Sequence, residues 1–205
     1  MFKKIDIMDI NWNKVGNMLP VVVQHNLSGQ VLMHGYMNQE ALIKTQNENT
    51  VTFYSRKKKR LWTKGEVSKN YLYVKDIVLD CDQDALLILV NPVGNTCHLN
   101  NSSCFKLSST GLSFFYDLEE FLKFRKNNFL NSSYTSSLHK SGINRMAQKV
   151  AEEAIEVAIS AVSQNRIDFI NESSDLIYHF LVLLHSYNLD FYEILKNLKI
   201  RHNSF

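Results

Sequence analysis

A change of hydrophobic period near residue 113 constrains this 205-residue chain more than any other feature. Before it, short segments rich in Val, Ile and Tyr recur at 19–24, 30–33, 51–54, 71–79 and 85–90. They are punctuated by Ser28-Gly29, Lys64-Gly65 and Asn91-Pro92-Val93-Gly94, and runs bounded in this way read as strands. One helix interrupts them over 38–46, with Asn38 as N-cap and Glu40 in its first turn. After residue 113, Ile143, Met146, Val150, Ala154, Val157, Ala158 and Ala161 are spaced by three or four and define a helix over 141–164. Further helices are expected at 117–126, capped by Asp117, at 167–187 and at 191–201, with the polar segment 127–137 as a connector. Long helices with short connections imply a bundle. The expectation is therefore an α+β N-terminal domain over 1–113, mainly short strands with a helix, and an all-α helical-bundle domain over 114–205.

A formal net charge of +3 is too mild to indicate nucleic acid as a partner. The run Arg56-Lys57-Lys58-Lys59-Arg60 is either a phosphate-binding patch or a solvated turn. No apolar run approaches the ~20 residues of a membrane span, and the start Met1-Phe2-Lys3-Lys4-Ile5-Asp6 lacks the apolar stretch of a signal peptide. A cytoplasmic protein without a membrane partner is expected, in a compartment where thiols stay reduced.

Three cysteines are present, Cys81, Cys97 and Cys104, and acidic or histidine neighbours surround them in Asp80-Cys81-Asp82-Gln83-Asp84 and Cys97-His98. An odd number argues against a disulfide framework. Thiolates suit zinc, and three sulfurs plus water would leave the open position of a catalytic site. The alternative is three small buried hydrophobes. If 80–84 continues a strand, Asp80, Asp82 and Asp84 share one face and Cys81 points to the other. Three carboxylates on one face repel unless a cation such as magnesium joins them; otherwise they form a solvated acidic edge. If 91–95 turns the chain into a hairpin, Cys104 returns near Cys81, but Cys97 lies about seven residues along the ladder, roughly 20 Å away. Cys97 and Cys104 can meet only if 100–103 loops back. That could leave Cys81 distant, so a second subunit could supply it and a homodimer sharing the zinc site is expected. His98 could shuttle a proton, or lie in a surface turn.

The stretches from Met33-His34-Gly35-Tyr36-Met37-Asn38-Gln39-Glu40-Ala41-Leu42 through Phe53-Tyr54-Ser55-Arg56 to Leu61-Trp62-Thr63-Lys64-Gly65-Glu66-Val67-Ser68 closely resemble the phosphoribosyl-AMP cyclohydrolases of histidine biosynthesis. The acidic and cysteine segments match that family in type and spacing. The resemblance covers about 17–107 and implies hydrolytic opening of the adenine ring at the N1–C6 bond. It implies zinc on Cys81, Cys97 and Cys104, lowering the pKa of the attacking water, and magnesium on Asp80, Asp82 and Asp84. It further implies His98 in proton transfer, with Arg56, Trp62, Lys64, Glu66 and Ser68 holding base, ribose and phosphates. Trp62 could instead be core, and Glu66 could only stabilise its loop. His25, Lys57, Asn95 and Asn100 depart from the family pattern; the last two stand in place of a usual Pro and Gly.

In the second half, Glu152 lies about 40° and Glu153 about 60° from Glu156 around a helix, and Glu172 and Asp175 share a face of the next. Five carboxylates from two antiparallel helices could hold one or two magnesium ions bridging a pyrophosphate; a solvated acidic face is the alternative. Residues 149–161 and 171–184, with Ser133-Tyr134-Thr135 upstream, resemble the phosphoribosyl-ATP pyrophosphohydrolases, an all-α family. This resemblance covers about 114–201. His179 is expected to pack rather than to ligate. A fused enzyme acting on phosphoribosyl-ATP and then phosphoribosyl-AMP is expected, with Zn2+ and Mg2+ as cofactors. The rivals are another zinc-dependent nucleotide-base hydrolase or deaminase, and a metal-stabilised binding module.

Overall fold

A computed structural model of the chain describes residues 2–105, 111–128 and 133–202. Backbone contacts divide it into two compact units, Met1–Phe114 and Phe115–Phe205.

The first unit is built on a four-stranded sheet in the order β2-β1-β6-β5. Strands β1 (Leu19–His25) and β2 (Val31–Met37) are antiparallel, and β1 runs parallel to β6 (Leu86–Pro92), itself antiparallel to β5 (Leu72–Leu79). Alternation decides which side is buried: Leu19, Val21 and Val23 of β1 and Leu86, Ile88 and Val90 of β6 all enter the core. In β5 a bulge between Val74 and Asp76 shifts the phase, so Leu72 and Val74 are followed inward by Ile77. Helix α1 (Gln39–Glu48) starts where the Asn38 side chain accepts a hydrogen bond from Ala41 N, and it ends at Asn49 with a left-handed φ of 55°. Thr45 at its inner face exchanges two hydrogen bonds with the Thr52 backbone, tying α1 to β3 (Thr52–Ser55). Strand β3 pairs with β4 (Arg60–Thr63) in a separate two-stranded ribbon.

Two expectations change here. The segment 60–63 is a strand, because its Arg60, Leu61, Trp62 and Thr63 pair with β3; only 56–59 forms the basic turn. Residues 80–85 are a turn between β5 and β6, not a continued strand. Asp80 N donates to Ala85 O, the Asp80 carboxylate accepts from Asp84 N and Ala85 N, and Gln83 is left-handed. The three aspartates converge because a tight turn folds them together, rather than through strand alternation.

The second unit consists of helices α2 (Gly111–Asn127), α3 (Tyr134–Lys140), α4 (Ile143–Val162), α5 (Arg166–Ser186) and α6 (Phe191–His202). Leu122, Leu138, Met146, Leu181, Val182 and Leu184 make its core. Helix α2 begins well before the expected Asp117 cap, since Phe115, Leu118 and Leu122 already follow one helical face toward that core. Residues 134–137 of the expected polar connector are helical, as Ser133 caps α3 through its hydroxyl to Ser136 N. Helices α4 and α5 form a hairpin whose second arm is capped by the Asn165 side chain accepting from Ile167 N and Asp168 N. Of the apolar face expected on α4 only Met146 is buried, while Ile143, Ala154, Ala158 and Ala161 are exposed; Glu153 and Ser160 are buried instead, and Ile155, Ile159 and Val162 stand exposed off that face. On α5, Ile167 and Ile170 are exposed as well. Among the described residues no helix is long and apolar enough to cross a membrane.

Candidate active sites

A cavity of about 430 Å³ in the first unit is lined by Trp62, Lys64, Glu66 and Ser68 on one side and by Cys97, His98 and Cys104 on the other. That volume suits a nucleotide-sized ligand. The ribbon and the loop after it supply the first wall: Trp62 packs on the buried Phe53 ring at 5.3 Å, and Gly65 adopts a φ of +95° where a Cβ would lie 2.7 Å from the Asn70 backbone. Trp62 therefore belongs to both the core edge and the cavity. Glu66 braces its own loop, one oxygen 2.7 Å from Arg60 and the other accepting from Thr63 N at 3.2 Å. The Arg60 guanidinium, before any other influence, holds the Glu66 carboxyl below the usual carboxylate range.

The second wall is a compact turn. Asn100 N donates to Cys97 O, Cys97 N donates to Asn101 O, and Asn100 sits at a φ of 64°. Cys104 is held against β2 by its own N–H to Leu32 O, assisted by Ser103 Oγ bonding Val31 O and Leu32 O. Segment 100–103 thus loops back, and the Cys97 and Cys104 thiols meet. Burial, then the neighbouring Cys97 sulfur, pushes the Cys104 thiol up. Lys64 stands close enough to feel both sulfurs, yet burial keeps its ammonium below the ordinary lysine value. A soft donor pair with a cation beside it suits a thiolate metal ligand set.

Cys81 does not join that pair: it is exposed, outside the cavity lining, and no group of three cysteines within metal-binding reach occurs among the described residues of one chain. Asp80, Asp82 and Asp84 do gather, with one carboxylate oxygen from each lying within 4.8 Å of the others. These are hard oxygen donors of the kind magnesium takes. Lys14 bridges two of them, its Nζ 2.5 Å from Asp82 and 2.6 Å from Asp84, and their hydrogen bonds raise its pKa far above the ordinary value. Arg56 also lies outside the lining, with its guanidinium 4.0 Å over the Tyr36 ring.

In the second unit Glu153, Glu156 and Glu172 present oxygens within 4.8 Å of one another. Partial desolvation and then Glu156 push the Glu172 carboxyl up, with Glu153 and Asp175 contributing, so Asp175 borders the same cluster. Glu152 turns instead to cations, reaching Arg145 at 3.3 Å and Lys149 at 3.0 Å. Lys149 also lies 2.6 Å from the buried Glu153. His179 is buried between Tyr134 and Tyr178, with Nε2 3.8 Å from Glu153 and Nδ1 unpartnered. Thr135 Oγ1 and the Tyr178 hydroxyl are 2.6 Å apart, fastening the Ser133-Tyr134-Thr135 segment to α5.

Sequence reasoning missed Lys14, Lys149, Asn70 and Thr96, the last two lining the first cavity. Lys149 lies four residues before Glu153, a spacing that signals a helical ion pair. Lys14 is 68 residues from Asp82, and no local pattern announces such a contact.

Residues 33–106 match the family model for phosphoribosyl-AMP cyclohydrolase, and residues 115–202 match that for phosphoribosyl-ATP pyrophosphohydrolase. Relatives align over nearly the whole of this chain and of their own length. The histidine biosynthesis bifunctional protein HisIE of Buchnera aphidicola subsp. Baizongia pistaciae is 71% identical over 203 residues, covering 99% of this chain and 98% of its own. The protein of the same name from Yersinia pestis is 51% identical, covering 98% and 99%. That of Escherichia coli (strain K12) is 50% identical, covering 95% and 96%.

Proposed function

The chain belongs to the bifunctional histidine-biosynthesis proteins that join a phosphoribosyl-AMP cyclohydrolase to a phosphoribosyl-ATP pyrophosphohydrolase, and from that premise we propose which residues carry each reaction. It is a two-activity hydrolase. Its C-terminal part cleaves phosphoribosyl-ATP to phosphoribosyl-AMP and pyrophosphate, and its N-terminal part opens the adenine ring of that product.

Ring opening belongs to the cavity between the Trp62–Ser68 wall and the Cys97–Cys104 wall. Trp62 offers a face for the base, while Lys64 and, from outside the lining, Arg56 take phosphate oxygens. Ser68 serves the ribose, and Glu66 keeps this wall rigid as well as bordering the substrate. The reaction adds the oxygen of water to C6 and breaks the N1–C6 bond, so N1 must gain a proton. His98, on the opposite wall, is the group that moves it. Cys97 and Cys104 of one chain with Cys81 of a second copy would hold zinc, Asp80, Asp82 and Asp84 would hold magnesium, and when bound these ions would supply Lewis acidity for water activation and charge neutralisation for phosphates. The same geometry supports a homodimer, since two sulfurs meet within a chain and the third does not.

Pyrophosphate release belongs to the α4–α5 hairpin. Glu153, Glu156 and Glu172, bordered by Asp175, form the magnesium-binding centre, and Glu152 keeps Arg145 and Lys149 beside it for the anionic substrate. The single observation that carries this reading is the gathering of Trp62, Lys64, Cys97, His98 and Cys104 around one cavity. Incubation with phosphoribosyl-ATP, following pyrophosphate and ultraviolet absorbance together, tests it. Pyrophosphate should appear first, the absorbance change of ring opening second, and a chelator should stop both. Ring opening without prior pyrophosphate release would refute the order.

A further inference from the structure

The turn carrying Cys97 and His98 is held by a chain of three side-chain amides that neither reaction consumes. Asn70 Nδ2 donates to Asn95 O at 3.0 Å. Asn95 Nδ2 donates in turn to Asn100 O at 2.9 Å and to Asn100 Oδ1 at 2.8 Å. Both contacts fall on the one residue of the turn held at a positive φ, 64°. A side chain in that region carries a conformational cost and persists only where its surroundings fix it. Asn100 N then closes the turn on Cys97 O, and Leu99 N approaches Cys97 Sγ at 3.5 Å. At the far end Asn70 is wedged between the walls: Cβ atoms added at Gly65 and Gly94 would stand 2.7 Å from its backbone and 3.0 Å from its Oδ1.

We infer that Asn95 is a positioning residue for ring opening. Its amide locks the left-handed Asn100, and the locked turn aims the Cys97 thiol and His98 at the cavity while Asn70 couples that turn to the substrate wall. The inference rests on the cyclohydrolase reading above. The hydrogen bonds from Asn95 to Asn100 are solvent-exposed, so water replaces them when the amide is removed and folding loses little. What is lost is a single orientation of the turn.

The test is Asn95→Ala in the full-length protein, with kcat and KM for ring opening, zinc retained against a chelator, and melting temperature as readouts. Groups that orient metal ligands typically change affinity or activity ten- to a hundredfold, so kcat and zinc retention should each fall about tenfold. KM should stay within about twofold, and the melting temperature should move little, as for most exposed substitutions. Pyrophosphate release, on the other unit, should be unchanged. A second pair of variants isolates the backbone: Asn100→Ala should reproduce the loss, whereas Asn100→Gly, free to keep a positive φ and the main-chain acceptor, should lose less than about threefold. A raised KM with kcat and zinc retention intact would mean that the amide meets substrate and would overturn the inference. So would a lowered melting temperature alone, or equal effects of Ala and Gly at 100. A parent protein without ring-opening activity would remove the cyclohydrolase reading instead, and zinc retention would still judge Asn95.

Discussion

Replacing Glu153 by alanine separates activity from stability in a way the structure makes quantitative. The carboxylate is buried, 2.6 Å from Lys149 Nζ and 3.8 Å from His179 Nε2. Breaking a buried ion pair costs about 3–5 kcal/mol when the surviving charge is left without a partner. Lys149 is not left so, because Glu152 Oε2 remains at 3.0 Å and the lysine side chain is 20% exposed, which lowers the cost to about 1–2 kcal/mol. Removing one of three clustered carboxylates also relieves repulsion with Glu156 and Glu172. The net loss should be about 1 kcal/mol, or roughly 4–8 °C in melting temperature for a unit of this size. Pyrophosphate release should fall far more, about a thousandfold, if the cluster supplies some 4 kcal/mol of transition-state stabilisation. Pyrophosphate release, ring opening from supplied phosphoribosyl-AMP, and thermal melting should be measured on one preparation. A folded variant that releases pyrophosphate within tenfold of the parent, or that loses both activities in parallel, would refute the reasoning.

Gly35→Ala would place a Cβ 2.5 Å from two carbons of the buried Phe53 ring. Overpacking of this kind costs about 1–3 kcal/mol, and ring opening should weaken as Phe53 pushes on Trp62; an unchanged melting temperature would contradict the packing argument. Lys14→Met should tighten magnesium or manganese binding at Asp80, Asp82 and Asp84 by a few fold in calorimetric titration, since exposed ion pairs are weak but this ammonium covers two of the ligands; weaker binding would mean that Lys14 orients them. The urea midpoint of the helical unit should fall on acidification in two steps. His139 and His179 have their pKa lowered from 6.5, chiefly by burial, so their contribution is full above that value and is lost as pH drops below it. Burial raises the Glu119 carboxyl, but hydrogen bonds from His185 and Phe191 N outweigh this and leave it below 4.5, so its contribution is full above 4.5 and is lost as pH falls from there through the lower folded value; Glu119→Gln should shrink the lower step, to which Glu152 beside Lys149 also adds.

The two-unit plan is legible because the hydrophobic period itself changes from two to between three and four, and no tertiary contact is needed to see it. Boundaries fail where local and tertiary signals conflict. Arg60 reads as the end of a basic run, yet its strand forms because Trp62 must cover Phe53. Asp80, Asp82 and Asp84 do cluster, but turn hydrogen bonds centred on Asp80, rather than the alternation of a strand, bring them together. Chain reach alone makes a loop-back of 100–103 the condition for Cys97 and Cys104 to meet. Its mechanism is not foreseen, because it depends on Ser103 and Cys104 pairing with β2, 71 or 72 residues earlier. On α4 the helix is correct, but spacing cannot say which apolar residues face the core: Met146 does, whereas Ile143, Ala154, Ala158 and Ala161 stand exposed.

Subunit complementation probes the zinc proposal most directly. Copies carrying Cys81→Ala and copies carrying Cys97→Ala, each inactive in ring opening, are mixed, dissociated and reassociated. A site completed across two copies predicts that random pairing rebuilds one intact site in half the dimers, restoring about a quarter of parental ring-opening activity and bound zinc. A mixture as inactive as its components would contradict the shared site.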